Sequence, residues 1–249
     1  MIDNRDESYV SSSKLAILGA SNGIVAYDLI WPFLVVGIMK LILQDNYSTL
    51  LNNNYYLVSA LVSLFISLVT ITASVFIAGH TRIIKAFHLP NKKDLKVIIY
   101  TLLAMFAFSY IYNIILVMLN LNVSDGNTNQ QLVNEMILGI PILAFVIMII
   151  VAPLNEEITY RYFIFGGLRK INRKLAIVVS GFVFMLAHAM AGLLSKDANI
   201  LNELIQLPPY LFSGMALAYA NDKTSNLGVS LSIHVLNNLI SFILFLLLV

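Results

Sequence analysis

The chain has 249 residues, of which 59% are hydrophobic and only 11% are charged. Soluble domains are about 45–50% apolar and about 25% charged, so this composition excludes a water-soluble globular protein and a disordered chain. The absence of cysteine excludes disulfides, thiolate metal sites and cysteine nucleophiles. The net charge of +2 is too small to indicate a nucleic-acid partner.

The apolar residues form long runs, which is typical of helices that cross a lipid bilayer. Such a helix needs about 20 mostly apolar residues. We therefore predict an all-α, polytopic membrane bundle of about seven transmembrane helices at residues 23–43, 56–79, 97–120, 139–168, 174–191, 204–220 and 227–248. The chain is expected to form one membrane domain, 1–249, because the spans leave no stretch long enough for a separate soluble module.

The first residues are polar, and they lack the short apolar segment and small-residue cleavage site of a signal peptide. We therefore expect the first span to be retained.

Lysine and arginine occur in every second connection: Arg5 and Lys14 before the first span, then Arg82, Lys85, Lys92, Lys93 and Lys96, then Arg169, Lys170, Arg173 and Lys174, and finally Lys223. The alternate connections near 44–55 and 121–136 have none, and the one near 192–203 has only Lys196. This alternation predicts a cytoplasmic N-terminus. The polar, glycine-containing stretch Asn122–Gln131 is expected to be an extracytoplasmic loop.

Three charged residues, Glu156, Glu157 and Arg161, fall within the fourth predicted span. A charge at the centre of a bilayer costs about 2.5–3.5 kcal/mol or more and usually marks a function. Glu157 and Arg161 are four residues apart on one helix face, so they can pair. Glu156 points about 100° away and lacks that partner. Pro153 predicts a kink just upstream.

Two later spans carry further polar groups, His188 in the fifth and His234 with Asn238 in the last. Glu156 and His188 lie equally far, sixteen residues, on either side of Asn172, so in a helical hairpin both would lie about 24 Å from the turn. His234 and Asn238 share a helix face at an overlapping depth. We therefore predict a site that these three spans build together.

Each group also has a structural interpretation. Glu157 with Arg161 is compatible with a buried ion pair that holds helices in register. His188 alone is compatible with a hydrogen-bonded interior histidine, and His234 with Asn238 is compatible with interhelical hydrogen bonding. Glu156 is the hardest of these residues to explain by a structural role. The similar depth of the polar groups on the three spans favours a site with a chemical function.

Three segments of the chain together resemble the three motifs of the CPBP family: Glu156-Glu157-x-x-x-Arg161, Phe184-x-x-x-His188 and His234-x-x-x-Asn238. These are the CAAX proteases and bacteriocin-processing proteins, also called Abi-type intramembrane peptidases. The resemblance covers about residues 139–248, which would form the catalytic core, whereas 1–138 carries no matching motif. Tyr162 stands where the family usually has glycine after the arginine, but no catalytic position is lost.

The resemblance implies an endopeptidase that cleaves a membrane-embedded or lipid-associated peptide. It assigns Glu156 as the general base, with His188 holding and polarising the water, and His234 and Asn238 as oxyanion donors. Glu157 would support the site, with its charge balanced by Arg161, and Phe184 belongs to the second motif. We expect catalysis without a cofactor. The alternative is a zinc site of Glu156, His188 and His234.

Other intramembrane proteases fit the sequence less well. There is no His-Glu pair for a zinc site-2 enzyme. The segment Leu211-Phe212-Ser213-Gly214 lacks the first glycine of a rhomboid motif. Tyr27-Asp28 is half of an aspartyl-protease pattern, and we expect Asp28 to lie near the cytoplasmic end beside Trp31.

Two non-protease hypotheses stay open. One is a non-catalytic bacteriocin-immunity or regulatory membrane protein, and the other is a transporter that relays protons through buried carboxylates. A bacterial plasma membrane is the expected location. Pheromone precursors, bacteriocin leaders and remnant signal peptides are plausible substrates.

Overall fold

The computed structural model describes residues 12–44, 46–121, 126–195 and 199–249, and every regular element in these ranges is a helix. The predicted all-α class is therefore confirmed. Arg5, Lys196 and residues 122–125 lie outside the described ranges, as does the polar start of the chain. We number the described helices α1 Ser13–Leu43, α2 Asn46–Ala78, α3 His80–Ala86, α4 Asp94–Met118, α5 Thr128–Gly139, α6 Pro141–Arg169, α7 Arg173–Leu194, α8 Ile200–Ile205, α9 Pro208–Thr224 and α10 Leu227–Leu248.

Six of these helices are long and apolar enough to cross a membrane: α1, Asn54–Ala78 within α2, α4, α6, Arg173–Met190 within α7, and α10. The protein is therefore a multi-pass membrane protein. The predicted first span started too late, since α1 begins at Ser13 rather than near residue 23. This shift changes the depth of the residues that α1 carries.

The seventh predicted span, 204–220, corresponds to α9, which has 17 residues and is not among the six. At 1.5 Å per residue it extends about 25 Å, less than the thickness of the hydrocarbon. Its middle is buried against neighbouring helices, at Gly214, Leu217 and Ala218. The helix therefore needs less apolar surface than a lipid-facing span.

The basic connections lie together at one end of the bundle, which we call the basic end. Oδ1 of Asn226, just before α10, accepts a hydrogen bond of 3.0 Å from the backbone N–H of His88. At the end of α9, Asp222 pairs with Arg169 at 3.1 Å and with Arg173 at 3.2 Å. The connections α3–α4, α6–α7 and α9–α10 therefore share one end, as the alternation of charge predicts.

The opposite end is held by polar contacts between other connections. Oε1 of Glu203 in α8 accepts hydrogen bonds from the backbone and hydroxyl of Thr128 at 2.8 and 2.6 Å. The hydroxyl of Tyr112 donates to the carbonyl of Ile205 at 2.6 Å. Helix α9 starts here and ends at the basic end, so it traverses the bundle although it is short. Which end faces the cytoplasm stays a prediction.

Close helix approaches position the motif-bearing helices. A Cβ atom at Gly214 of α9 would lie 2.8 Å from the Cα atom of Gly181 in α7, so these backbones touch. On the other side, a Cβ atom at Gly23 of α1 would overlap the hydroxyl of Thr159 in α6. Helix α6 is thus packed between α1 on one side and α7 and α9 on the other.

Helix α6 is irregular on both sides of Glu156. Its backbone is π-helical over Val146–Val151 and again over Glu157–Phe165. In the first segment the N–H of Ala152 bonds to the carbonyl of Ile147, five residues back, directly before Pro153. Departures of this kind are rare in helices and are frequent at functional sites.

The expected loop Asn122–Gln131 is partly wrong, because helix α5 begins at Thr128. Oδ1 of Asn127 accepts a hydrogen bond of 2.9 Å from the backbone N–H of Gln130, which is the capping role that asparagine favours. The helix ends at Gly139, because Pro141 disfavours helical geometry at Ile140.

Candidate active site

Glu157 and Arg161 form an ion pair in the interior, with 3.4 Å between Oε1 and Nη1 and both side chains inaccessible. This is the pair that their spacing predicts. Nη2 of Arg161 also donates to the carbonyl of Gly214 at 3.3 Å, and its guanidinium lies 4.7 Å from the centre of the Phe184 ring. Arg161 therefore links α6 to α7 and α9.

The imidazole of His234 lies between the two glutamates. Its Nδ1 is 2.9 Å from Oε1 of Glu157, and its Nε2 is 3.6 Å from Oε2 of Glu156. A carboxylate only accepts hydrogen bonds, so Nδ1 carries the hydrogen of the shorter contact. His234 thus joins α10 to α6, and the ring is buried.

Glu156 is more accessible than its neighbour, with 22% of its side chain exposed. Its Oε2 atom has no hydrogen-bond partner within the described residues. The side chain lines a cavity of about 390 Å³ inside the bundle. That volume is within the range of small-molecule sites, about 300–1,000 Å³.

His188 faces the same cavity from α7. Its Nδ1 lies 2.9 Å from the carbonyl oxygen of Phe184. A carbonyl only accepts, so Nδ1 carries the hydrogen and Nε2 of the neutral ring is an acceptor. The ring is held between Phe184, 4.3 Å away by centroids, and Tyr210, 4.7 Å away.

Asn238 completes the polar wall from α10. Its Nδ2 donates to the carbonyl of Met148 at 3.0 Å, and its Oδ1 accepts from Nδ2 of Asn237 at 3.2 Å. Both asparagines line the cavity. Because Nδ2 has two hydrogens, Asn238 can still donate once more.

The structure therefore divides the seven predicted site residues into two groups. The first group, Glu156, His188 and Asn238, lines the cavity from three helices. The second group is buried behind it: Glu157, Arg161, Phe184 and His234. The first group can contact a ligand in the cavity, and the second lies directly behind it.

Sequence reasoning placed Asp28 wrongly. Instead of lying at the end of the first span, Asp28 lines the cavity together with Tyr27 and Glu156. The reason is that α1 begins at Ser13, so Asp28 is about four turns inside the helix. Its charge within an apolar run was the signal that should have placed it in the site.

Three other cavity residues were also missed: Asn155, Tyr210 and Asn237. Asn155 and Asn237 are polar residues of transmembrane helices directly beside motif residues, and polar groups at such positions usually serve a function. Tyr210 has no comparable signal in the sequence, because its role depends on the packing of α9 against α7.

A metal centre is not assembled in this geometry. In the described ranges, no three His, Asp or Glu side chains lie close enough together to hold a metal ion. Nδ1 of His188 and Nδ1 of His234 both make hydrogen bonds, so Nε2 is the nitrogen of each ring that could bind a ligand. The zinc alternative of Glu156, His188 and His234 stays a prediction.

Comparisons with known proteins find a family that the segment carrying this site is similar to. Residues 138–240 match the family model for the type II CAAX prenyl endopeptidase Rce1-like family. An uncharacterized protein of Mycoplasma capricolum subsp. capricolum is 28% identical over 155 residues. The match covers 59% of this chain and 42% of that protein, so the chain spans about two fifths of the length of this curated relative. No solved structure matches the chain significantly.

The matched segment contains all seven motif residues, from Glu156 to Asn238. The recognition drawn from the motifs is thus confirmed at the level of the match: residues 138–240 are similar to the Rce1-like type II CAAX prenyl endopeptidase family, consistent with the CPBP motifs that they carry.

Proposed function

We propose that this protein is an intramembrane endopeptidase in which Glu156 activates a water molecule for attack on a peptide bond. The observation that carries the proposal is the environment of Glu156. Its carboxylate has an oxygen without a hydrogen-bond partner in the described part of the chain, and it faces a cavity inside a membrane bundle. A carboxylate within a membrane-spanning helix is costly and usually marks a function.

In the proposed reaction Glu156 takes a proton from water while the water oxygen attacks the carbonyl carbon. The neutral ring of His188 presents Nε2 as an acceptor, so it can hold the second hydrogen of the water. When the tetrahedral intermediate collapses, Glu156 returns the proton to the leaving amine. The products are a carboxylic acid and an amine, which exchange a proton to give a carboxylate and an ammonium, and one water is consumed.

The oxyanion of the intermediate requires donors on the opposite side of the carbonyl carbon. Asn238 retains one Nδ2 hydrogen for this purpose. His234 would donate through Nε2, because its other ring nitrogen, Nδ1, is engaged by the carboxylate of Glu157 at 2.9 Å. Arg161 balances the charge of Glu157, and Phe184 packs against both imidazoles.

The proposed substrate is a peptide or protein segment that is embedded in or attached to the membrane. The cavity lies within helices that cross the bilayer, which restricts access to chains that can enter it. We propose a bacterial plasma membrane as the location. Pheromone precursors, bacteriocin leaders and remnant signal peptides are the substrate types to examine.

The decisive experiment compares the purified protein with its Glu156→Gln variant on a panel of such membrane peptides. We expect the substitution to lower kcat by at least about 100-fold, the contribution of a general base. Glu135→Gln removes an exposed carboxylate of α5 outside the cavity and is the matched control. Equal cleavage by wild type and Glu156→Gln contradicts the assignment.

Two further experiments distinguish this proposal from the zinc-dependent and the non-catalytic hypotheses. We expect a chelator to leave cleavage unchanged, whereas loss of activity with rescue by zinc would establish a metal-dependent reaction. In cells, a phenotype that survives Glu156→Gln at normal protein levels would favour the bacteriocin-immunity or regulatory hypothesis.

A further inference from the structure

The cavity that contains Glu156 has an uncompensated negative lining. Two carboxylates face it, Asp28 from α1 and Glu156 from α6. None of the described residues that line it is a lysine or an arginine. The neighbouring guanidinium of Arg161 is fully buried and is engaged by Glu157 and the carbonyl of Gly214. The cavity therefore favours a positively charged ligand.

The same wall presents hydrogen-bond acceptors that lack a donor. Oδ1 of Asn155 and Oγ1 of Thr159 have no hydrogen-bond partner within the described residues, although the two residues are only 4% and 1% exposed. Both residues line the cavity. Buried acceptors are nearly always paired in native proteins, so these two indicate a donor that binds there.

Asp28 is held in place by the helices around it. One turn and a half before it, Nδ2 of Asn22 donates to the carbonyl of Thr70 and the hydroxyl of Ser74, both at 3.0 Å. The adjacent Tyr27 hydroxyl lies 3.3 Å from that of Ser67. The close approach of Gly23 to Thr159 then fixes α1 against α6. These contacts fix the segment of α1 that carries Asp28 against α2 and α6.

We propose that Asp28 and Asn155 form a subsite for a primary ammonium group of the substrate, beside the scissile bond that Glu156 serves. An ammonium group is compact and has three donors and no acceptor, which matches a wall of unpaired acceptors. Its charge offsets that of Asp28 in the cavity. The inference rests on the proposed function, because it identifies the peptide chemistry that the same cavity selects.

The ammonium can come from a lysine side chain or from the free N-terminus of a peptide. Three fluorescent ten-residue peptides of leucine and alanine distinguish these sources. The first is N-acetylated with one central lysine, the second is N-acetylated with norleucine in that position, and the third has norleucine and a free N-terminal amine. Their affinities are measured by fluorescence anisotropy with the full chain in detergent, carrying His188→Ala to prevent turnover.

We expect at least one ammonium-bearing peptide to bind about tenfold more tightly than the neutral peptide, as for a charge-assisted hydrogen bond. Asp28→Asn should reduce this preference below about threefold, and Asp28→Glu should restore most of it. The control Glu135→Gln, outside the cavity, should keep the preference. The peptide that shows the preference identifies the source of the ammonium.

Equal binding of all three peptides overturns the proposal, as does a preference that survives Asp28→Asn. If Asp28→Asn does not fold, competition on the protein that retains Asp28 gives the answer. Butylammonium should displace the bound peptide, whereas butanol at the same concentration should not, and equal displacement overturns the proposal. These binding results are independent of cleavage, so a protein that never cleaves but prefers ammonium would contradict only the proposed function.

Discussion

The imidazole of His234 and the carboxylate of Glu157 form a 2.9 Å hydrogen bond between α10 and α6, with almost no exposure to solvent or lipid. Because the same oxygen of Glu157 also lies 3.4 Å from Arg161, one carboxylate holds groups from two motifs. Glu156, one residue earlier, makes only a longer contact of 3.6 Å with Nε2 of His234 and lines the cavity. The two consecutive glutamates therefore have different roles.

This division predicts a large stability loss when Glu157 is removed. Glu157→Ala leaves the guanidinium of Arg161 buried without its counter-charge, which costs about 3–5 kcal/mol. Thermal unfolding in detergent should show a clearly lower midpoint. The double variant Glu157→Ala with Arg161→Met should recover part of the loss, because no unpaired charge remains. A double variant less stable than Glu157→Ala alone would contradict the ion-pair interpretation.

Phe184 should affect both stability and catalysis, because its ring contacts three functional groups. It lies 4.7 Å from the Arg161 guanidinium, 4.3 Å from the His188 ring and 5.9 Å from the His234 ring. Phe184→Leu should cost about 1–3 kcal/mol through lost packing and cation–π attraction, and it should lower kcat as well. Phe182→Leu, at a 47% exposed site on the same helix, is the control and should change neither quantity.

The contact between α7 and α9 depends on glycine at position 214. A Cβ atom there would lie 2.8 Å from the Cα atom of Gly181, and backbone cannot yield as a flexible side chain does. Gly214→Ala should therefore destabilise the protein by about 1–3 kcal/mol and displace the carbonyl that Arg161 binds. Gly37→Ala, where a Cβ atom has nothing within 4 Å, should not lower the unfolding midpoint. Equal effects of the two substitutions would exclude this packing argument.

Helix α5 should loosen when Glu203 loses its charge. Glu203 accepts from the backbone and hydroxyl of Thr128 at the start of α5, and α5 supplies Asn129 and Gln130 to the cavity wall. Glu203→Gln should weaken these charge-assisted bonds by about 1–2 kcal/mol. Amide hydrogen exchange over residues 128–139 should then become several-fold faster, while α7 stays protected. Unchanged exchange in α5 would show that Glu203 does not hold it.

The sequence predicts the helical bundle because the apolar runs are long, and it predicts the Glu157–Arg161 pair because four-residue spacing fixes a shared helix face. Counting residues from the turn at Asn172 predicts that Glu156 and His188 lie at the same depth, because this turn joins their two helices. Both side chains line the cavity. The depth of Asp28 was missed because the start of α1 has no sharp hydropathy boundary. The π-helical segments of α6 and the partners of His234 depend on packing between distant helices, so no local pattern encodes them.

The most direct test of the account is whether the polar groups of α1, α6, α7 and α10 surround a water-filled cavity within the bilayer. The chain has no cysteine, so single-cysteine variants react without background. Ala187→Cys lies on the cavity wall, whereas Leu103→Cys lies in the middle of α4 on a 59% exposed, lipid-facing site. Because the thiolate forms in water, a charged, membrane-impermeant thiosulfonate should modify Ala187→Cys and not Leu103→Cys in liposomes. Modification of neither variant, or of both at the same rate, would contradict the account.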